Sequence, residues 1–278
     1  MNTMESIKLT GIGLVLGLTT IIPGLSTGTM AIVFNIYDRL IGVITPNIKK
    51  LLAAWKFWLP LAIGAAAGII FFSKLVTLLL TDHPVPVYWF FIGMIAGGIP
   101  SIYRKALKPG SALPSIPAVI CGIIALSVMV AVAILNPAEK TVLYTVLTPQ
   151  VFGILVAGGA VAAVALIIPG ISGSFLLLVI GLYRTVIQAV SDFNIPLLIP
   201  AALGVVIGLF IGAAFVRFLL AKAHGETYGA VLGLVAGSVI VLYPGGWGSG
   251  IMIIISMASL FAGASISYFS GKCGKQNT

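Results

Sequence analysis

The stretch Ile21-Ile22-Pro23-Gly24-Leu25-Ser26 returns as Ile167-Ile168-Pro169-Gly170-Ile171-Ser172, 146 residues further along the chain. Each copy lies inside a long apolar run. Proline lacks an N–H and clashes with the preceding helical turn, and glycine adds backbone freedom, so the pair breaks a helix. At membrane depth such a break persists only where it is buried in protein or lines a cavity. Two copies, one in each half, predict an internally duplicated transporter with its site where the repeats meet.

Composition places the rest of the chain in lipid. Of its 278 residues 60% are hydrophobic and 8% charged, with a mean hydropathy of +1.20. Soluble domains carry about 25% charged residues. The formal charge of +9 could suit nucleic acid, but 12 of the 15 Lys and Arg residues fall in alternate loops. That is the positive-inside bias of a membrane protein. Nucleic acid is therefore excluded as a partner, membrane lipids surround the chain, and both termini are expected in the cytoplasm. Met1 to Thr10 reads as the start of the first membrane helix rather than a removable signal.

Apolar segments fall at 9–22, 26–45, 58–81, 87–103, 115–135, 150–168, 171–190, 196–220, 227–243 and 250–270. The Pro-Gly breaks join the first to the second and the sixth to the seventh. The duplication runs further. Tyr37 and Ile41 match Tyr183 and Ile187 at the same offset of 146. At an offset of 140, Pro60, Gly64 and Gly68 match Pro200, Gly204 and Gly208. Tyr88, Gly93, Ala96 and Gly97 likewise match Tyr228, Gly233, Ala236 and Gly237. The difference of six residues is absorbed in the loop after each broken pair, where insertions cost least.

The expected fold is an all-α polytopic membrane protein of two repeats, 1–140 and 141–278. Each repeat is a broken hairpin (9–45 or 150–190) followed by three transmembrane helices. Three crossings turn the second half upside down, which makes the repeat inverted. Loop charge fits a re-entrant hairpin and a pair of full spans equally well. The uncharged tip, free of aromatic anchors, favours the hairpin.

Hairpin tips that meet from opposite faces would bring two helix starts together, at Ser26 and Ser172. The first N–H groups of a helix have no internal acceptor, and the dipole places positive charge there. With the Ser26, Thr27, Thr29, Ser172 and Ser174 hydroxyls beside them, such ends suit an anion. Gly24, Gly28, Gly170 and Gly173 would let the backbone approach it. The plainer alternative is that small residues allow tight packing and serine caps the broken helix. Arg39 and Arg184 lie 15 and 14 residues past their tips, about 21 Å along a continuous helix. They are expected at the inner and outer mouths, as anion contacts or as interfacial anchors. Lys74 can snorkel or serve the pathway, Arg217 reads as an anchor, and Glu5 is expected to pair with Lys8 rather than carry a coupling proton. Six scattered carboxylates and two isolated histidines offer neither an enzyme's acid–base pair nor a metal site. Cys121 and Cys273 suggest no metal or disulfide. No nucleotide-binding loop appears, so no cofactor is expected. Uphill work would draw on an ion gradient (proton or sodium), a partner or the substrate's own gradient.

The run Ile22-Pro23-Gly24-Leu25-Ser26-Thr27-Gly28-Thr29-Met30-Ala31, followed by Ile36-Tyr37-Asp38-Arg39-Leu40-Ile41, resembles one signature of a bacterial membrane family. That family, once a domain of unknown function, is now read as polyprenyl-phosphate transporters. Ile168-Pro169-Gly170-Ile171-Ser172-Gly173-Ser174-Phe175-Leu176-Leu177, with Gly181-Leu182-Tyr183, resembles its second signature. The resemblance spans nearly the whole chain. It implies a flippase that returns undecaprenyl phosphate from the outer to the inner leaflet of the cytoplasmic membrane for cell-wall synthesis. Thr27 and Asn35 stand where the family has glycine, and Arg184 where an acidic residue is common. The last puts an acidic coupling role there in doubt and makes a phosphate contact more plausible. The alternatives are a secondary transporter of a small soluble anion and, lacking clustered acid–base residues, a prenyl-phosphate phosphatase.

Overall fold

A computed structural model describes residues 3–21, 26–107, 110–135 and 143–273. Pro23 and Gly24 lie outside the described residues, so the first break is seen only through its flanks. The described chain is helical, without strands. Its first half runs α1 (Thr3–Ile21), α2 (Thr27–Val33), α3 (Tyr37–Val43), α4 (Ile48–Ala53), α5 (Trp55–Asp82), α6 (Pro84–Ala106) and α7 (Ile116–Leu135). The second runs α8 (Pro149–Ile167), α9 (Gly173–Val179), α10 (Tyr183–Ser191), α11 (Ile195–Lys222), α12 (His224–Leu242) and α13 (Ile251–Cys273). Among the described residues, six helices are long and apolar enough to cross a membrane. The chain is a multi-pass membrane protein.

Glycines set the packing. α1 lies along α5, and α8 along α11. A methyl on Gly13, Gly64 or Gly68 would strike the carbonyl oxygen of Leu61, Thr10 or Leu14. A methyl on Gly159, Gly204 or Gly208 would strike that of Ala201, Val156 or Ala160. These three collisions correspond position for position at the sequence offsets of 146 and 140. Further along, α6 packs on α13 and α12 on α7, so each half lends its last helix to the other. α6 and α12 also touch and join the two groups.

The arm after each tip departs from the expected single helix. Seven-residue α2 stops where Asn35 takes φ 57°, and seven-residue α9 where Gly181 takes φ 80°. These are equivalent positions. Both helices close with an i→i−5 bond, Ile36 N–H to Ala31 O and Leu182 N–H to Leu177 O, each 2.9 Å. A left-handed residue after the last turn is the usual terminator that satisfies such carbonyls. The arms 26–45 and 171–190 are therefore jointed, and the straight 21 Å of helix expected between tip and arginine does not exist. α4 was not anticipated. Asn47 starts it by accepting the Lys50 N–H.

Candidate functional site

The two signatures meet. Thr29 Oγ1 accepts the Gly170 N–H at 2.8 Å, and Thr29 is only 1% exposed. Tyr37 Oη, also buried, donates to the Ile167 carbonyl at 3.0 Å. Gly28 packs so closely on residues 166–169 that a Cβ would lie 3.1 Å from Ile167 O and 3.3 Å from Pro169 Cα. Hydrogen bonds and packing thus hold α2 and α3 to the second tip. Residues 28–33 of α2 are buried throughout.

Local chemistry explains the polar residues around this contact. Ser26 caps α2 with its Oγ accepting the Thr29 N–H at 3.4 Å. Thr20 and Thr27 hydroxyls are 3.1 Å apart, which draws α1 and α2 together across the first tip. Ser172 and Ser174 hydroxyls pair at 2.9 Å at the second. Ser26 and Ser172 are 3% and 8% exposed, two of eight buried hydroxyl residues of serine and threonine among the described residues. α2 and α9 have two turns each, too short for a large macrodipole. The local N–H groups of Thr27 and Gly28 matter instead, because the first i→i−4 bond of α2 begins at Met30.

The glycines take less open positions than their sequence suggests. Gly170 has φ 90°, which only glycine adopts easily, and a Cβ there would lie 2.6 Å from Leu234 Cβ. A Cβ at Gly173 would lie 2.6 Å from the Ala162 carbonyl oxygen. Protein fills the space beside Gly28, Gly170 and Gly173 in this structure.

The two arginines stand away from the tips. Arg39 is exposed, pairs with Glu5 at 2.9 Å and lies 4.3 Å over the Phe57 ring. Glu5 thus pairs with Arg39 rather than with Lys8. Arg184 is exposed in the first turn of α10. Lys74 lies within α5, and its side chain is outside the described residues.

Three groups of contacts escaped the sequence reading. Arg217 reaches from α11 to the end of α3, donating to the Ile41 carbonyl at 2.7 Å and also to that of Ile44. Lys105 and Tyr228 both bond Asp38. Tyr37 bonds the second tip. The available signal was polar recurrence, since Tyr37 and Tyr228 each belong to a repeat-matched pair in a chain poor in polar residues.

Two apolar clefts bear on the path of a lipid tail. One of about 250 Å³ is lined by Val164, Ile168, Ile171, Leu176 and Ile211, beside the second tip. Another, about 450 Å³, extends from Leu18 past Phe72 and Phe90 to His83.

Comparison with known proteins finds relatives over most of the chain. The chain is 31% identical over 246 residues to a polyprenyl-phosphate transporter of Vibrio cholerae, covering 84% of this chain and 76% of that one. It is 28% identical over 275 residues to a polyprenyl-phosphate transporter of Staphylococcus aureus, covering 95% and 96%. No solved structure matches. A family profile described as undecaprenyl phosphate translocase-like matches residues 16–259. The chain belongs to the undecaprenyl phosphate translocase-like family.

Proposed function

We propose that this protein carries a polyprenyl phosphate, such as undecaprenyl phosphate, from the outer to the inner leaflet of the bacterial cytoplasmic membrane. It acts as a transporter, not an enzyme, and serves recycling of the lipid carrier for cell-wall synthesis. The contact between Thr29 and Gly170 carries this reading, because it unites both Pro-Gly signatures in a buried polar centre. The hydroxyls of Ser26, Thr27, Thr29, Ser172 and Ser174, with the N–H groups of Thr27, Gly28 and Gly173, are the donors offered to the phosphate. Hydrogen bonds to an ionised acceptor are about twice as strong as neutral ones. The cleft at Ile168 and Ile171 gives the prenyl chain a lateral place next to that centre. A soluble anion would have no use for such a cleft.

The halves 1–140 and 141–278 act as inverted repeats in this reading, with re-entrant hairpins at Pro23-Gly24 and Pro169-Gly170. The matched glycine collisions and the exchange of last helices support it. Both termini lie in the cytoplasm, as the loop charges require. Arg184 receives the phosphate at the outer mouth, and Arg39 marks the inner side. A guanidinium can fork two phosphate oxygens where lysine offers a point charge.

The test is transfer of a prenyl monophosphate between leaflets of proteoliposomes. The Ser26→Ala, Ser172→Ala double variant should transport strongly below wild type while remaining folded, since each hydroxyl bond to charge is worth about 1.5–3 kcal/mol. Arg184→Lys should slow uptake from the outer leaflet, and Arg184→Ala more so. Undiminished transport by the serine double variant would overturn the assignment of the tips.

A further inference from the structure

The ion pair where α6 ends has the chemistry of an occupied anion site. Lys105 Nζ donates to Asp38 Oδ2 at 2.5 Å. Tyr228 Oη donates to Asp38 Oδ1 at 2.7 Å. Lys105 Nζ is also 3.3 Å from Tyr228 Oη and 5.2 Å from the centre of its ring. The His224 ring backs Tyr228 at 4.8 Å. Tyr228 is fully buried, whereas the Asp38 side chain is 51% exposed and that of Lys105 21%. The donors are therefore recessed, and the carboxylate covers them from the side open to solvent.

Donors and acceptor differ in how they are held. Lys105 and Tyr228 stand on α6 and α12, helices of 23 and 19 residues packed on each other. Asp38 stands on seven-residue α3, just past the left-handed joint at Asn35. Its neighbour Tyr37 bonds Ile167 at the second tip. One dipeptide thus touches the proposed phosphate centre with its first residue and the Lys105–Tyr228 pair with its second. The other cations beside α3 already have partners, Arg39 with Glu5 and Arg217 with the Ile41 and Ile44 carbonyls.

We infer that Lys105 Nζ and Tyr228 Oη form a second anion site, on the cytoplasmic side of the tips, that takes the phosphate monoester of the lipid as it leaves. Asp38 fills this site between passages. The inference rests on the prenyl-phosphate reading and adds a station to it. A phosphate monoester presents the same terminal oxygens as a carboxylate, so either anion satisfies both donors. Exchange of one for the other never strands the recessed ammonium, and a stranded charge is what makes breaking such pairs costly. Displacement of Asp38 by the phosphate also pulls on α3, and through Tyr37 on the second tip.

The two ends of the ion pair give opposite predictions, which a brace for the fold would not. Binding to purified protein in nanodiscs is measured with a short-chain fluorescent prenyl monophosphate, and with the matching prenyl alcohol as the probe lacking phosphate. Asp38→Asn should tighten monophosphate binding severalfold, by removing the competing carboxylate. Lys105→Gln should weaken it about tenfold or more, Lys105→Arg should largely retain it, and alcohol binding should not change. If Asp38→Asn and Lys105→Gln shift binding in the same direction, or neither shifts it, the inference is overturned. Wild type that fails to prefer monophosphate over alcohol overturns the prenyl-phosphate reading itself, and the second site with it. Should Lys105→Gln not fold, Tyr228→Phe placed in the Asp38→Asn background must cancel its gain, and failure to do so is equally fatal.

Discussion

Replacing Thr29 by Val removes the oxygen that accepts the Gly170 N–H at 2.8 Å and leaves the side-chain volume almost unchanged. Thr29 is 1% exposed and Gly170 is buried, so water does not reach the orphaned donor. A buried donor left unsatisfied costs about 1–3 kcal/mol. Thr29→Ser makes the complementary change, keeping the acceptor and losing a methyl worth about 0.8 kcal/mol. Burial alone ranks valine at or above wild type and serine below it. The hydrogen bond instead puts valine below wild type, at or under serine. Thermal unfolding of purified protein without substrate, followed by its four tryptophans, separates the two rankings. A valine variant that melts at or above wild type, with serine lower, would refute the view that this bond holds the tips together.

Gly64→Ala and Gly204→Ala should each destabilise by about 1–3 kcal/mol, since each drives a methyl into a carbonyl oxygen at a matched position. Clearly unequal losses of folded protein on size exclusion would show that the two contacts are not equivalent. Ser267→Ala should be neutral or raise the melting temperature, because Ser267 Oγ is buried without a hydrogen-bond partner among the described residues; a marked loss would contradict that environment. Arg217→Gln should free the end of α3 by removing charged donors worth about 1.5–3 kcal/mol from Ile41 and Ile44. Hydrogen exchange across residues 41–44 should then rise, and unchanged protection would count against the staple.

The long helices were legible in the sequence because each is a run of apolar residues bounded by polar or proline-containing loops. The matched glycine spacing was legible too, and in the structure those glycines face carbonyl oxygens that leave no room for a larger side chain. The joints at Asn35 and Gly181 were hidden, because an apolar run does not reveal one left-handed residue inside it. What the omission hid was the break of each arm into two short helices, α2 with α3 and α9 with α10. The meeting of Thr29 with Gly170 could be expected only in outline, as two tips facing each other. Which hydroxyl would meet which N–H depends on three-dimensional register. Networks such as Asp38 with Lys105 and Tyr228 join residues 67 and 190 positions apart, a pairing that no local pattern encodes.

The bond between Thr29 and Gly170 also bears on the energetic balance of the molecule. In a cycle that swaps the roles of two identical halves, the states facing either side would be equal in energy. The position equivalent to Thr29 in the second half is Phe175, which has no hydroxyl to offer. If the proposed repeats exchanged roles, the counterpart of the Thr29 acceptor would be missing. A net difference of about 1 kcal/mol populates one state about fivefold over the other. In the proposed transport cycle, one threonine side chain would then favour one state before any lipid binds.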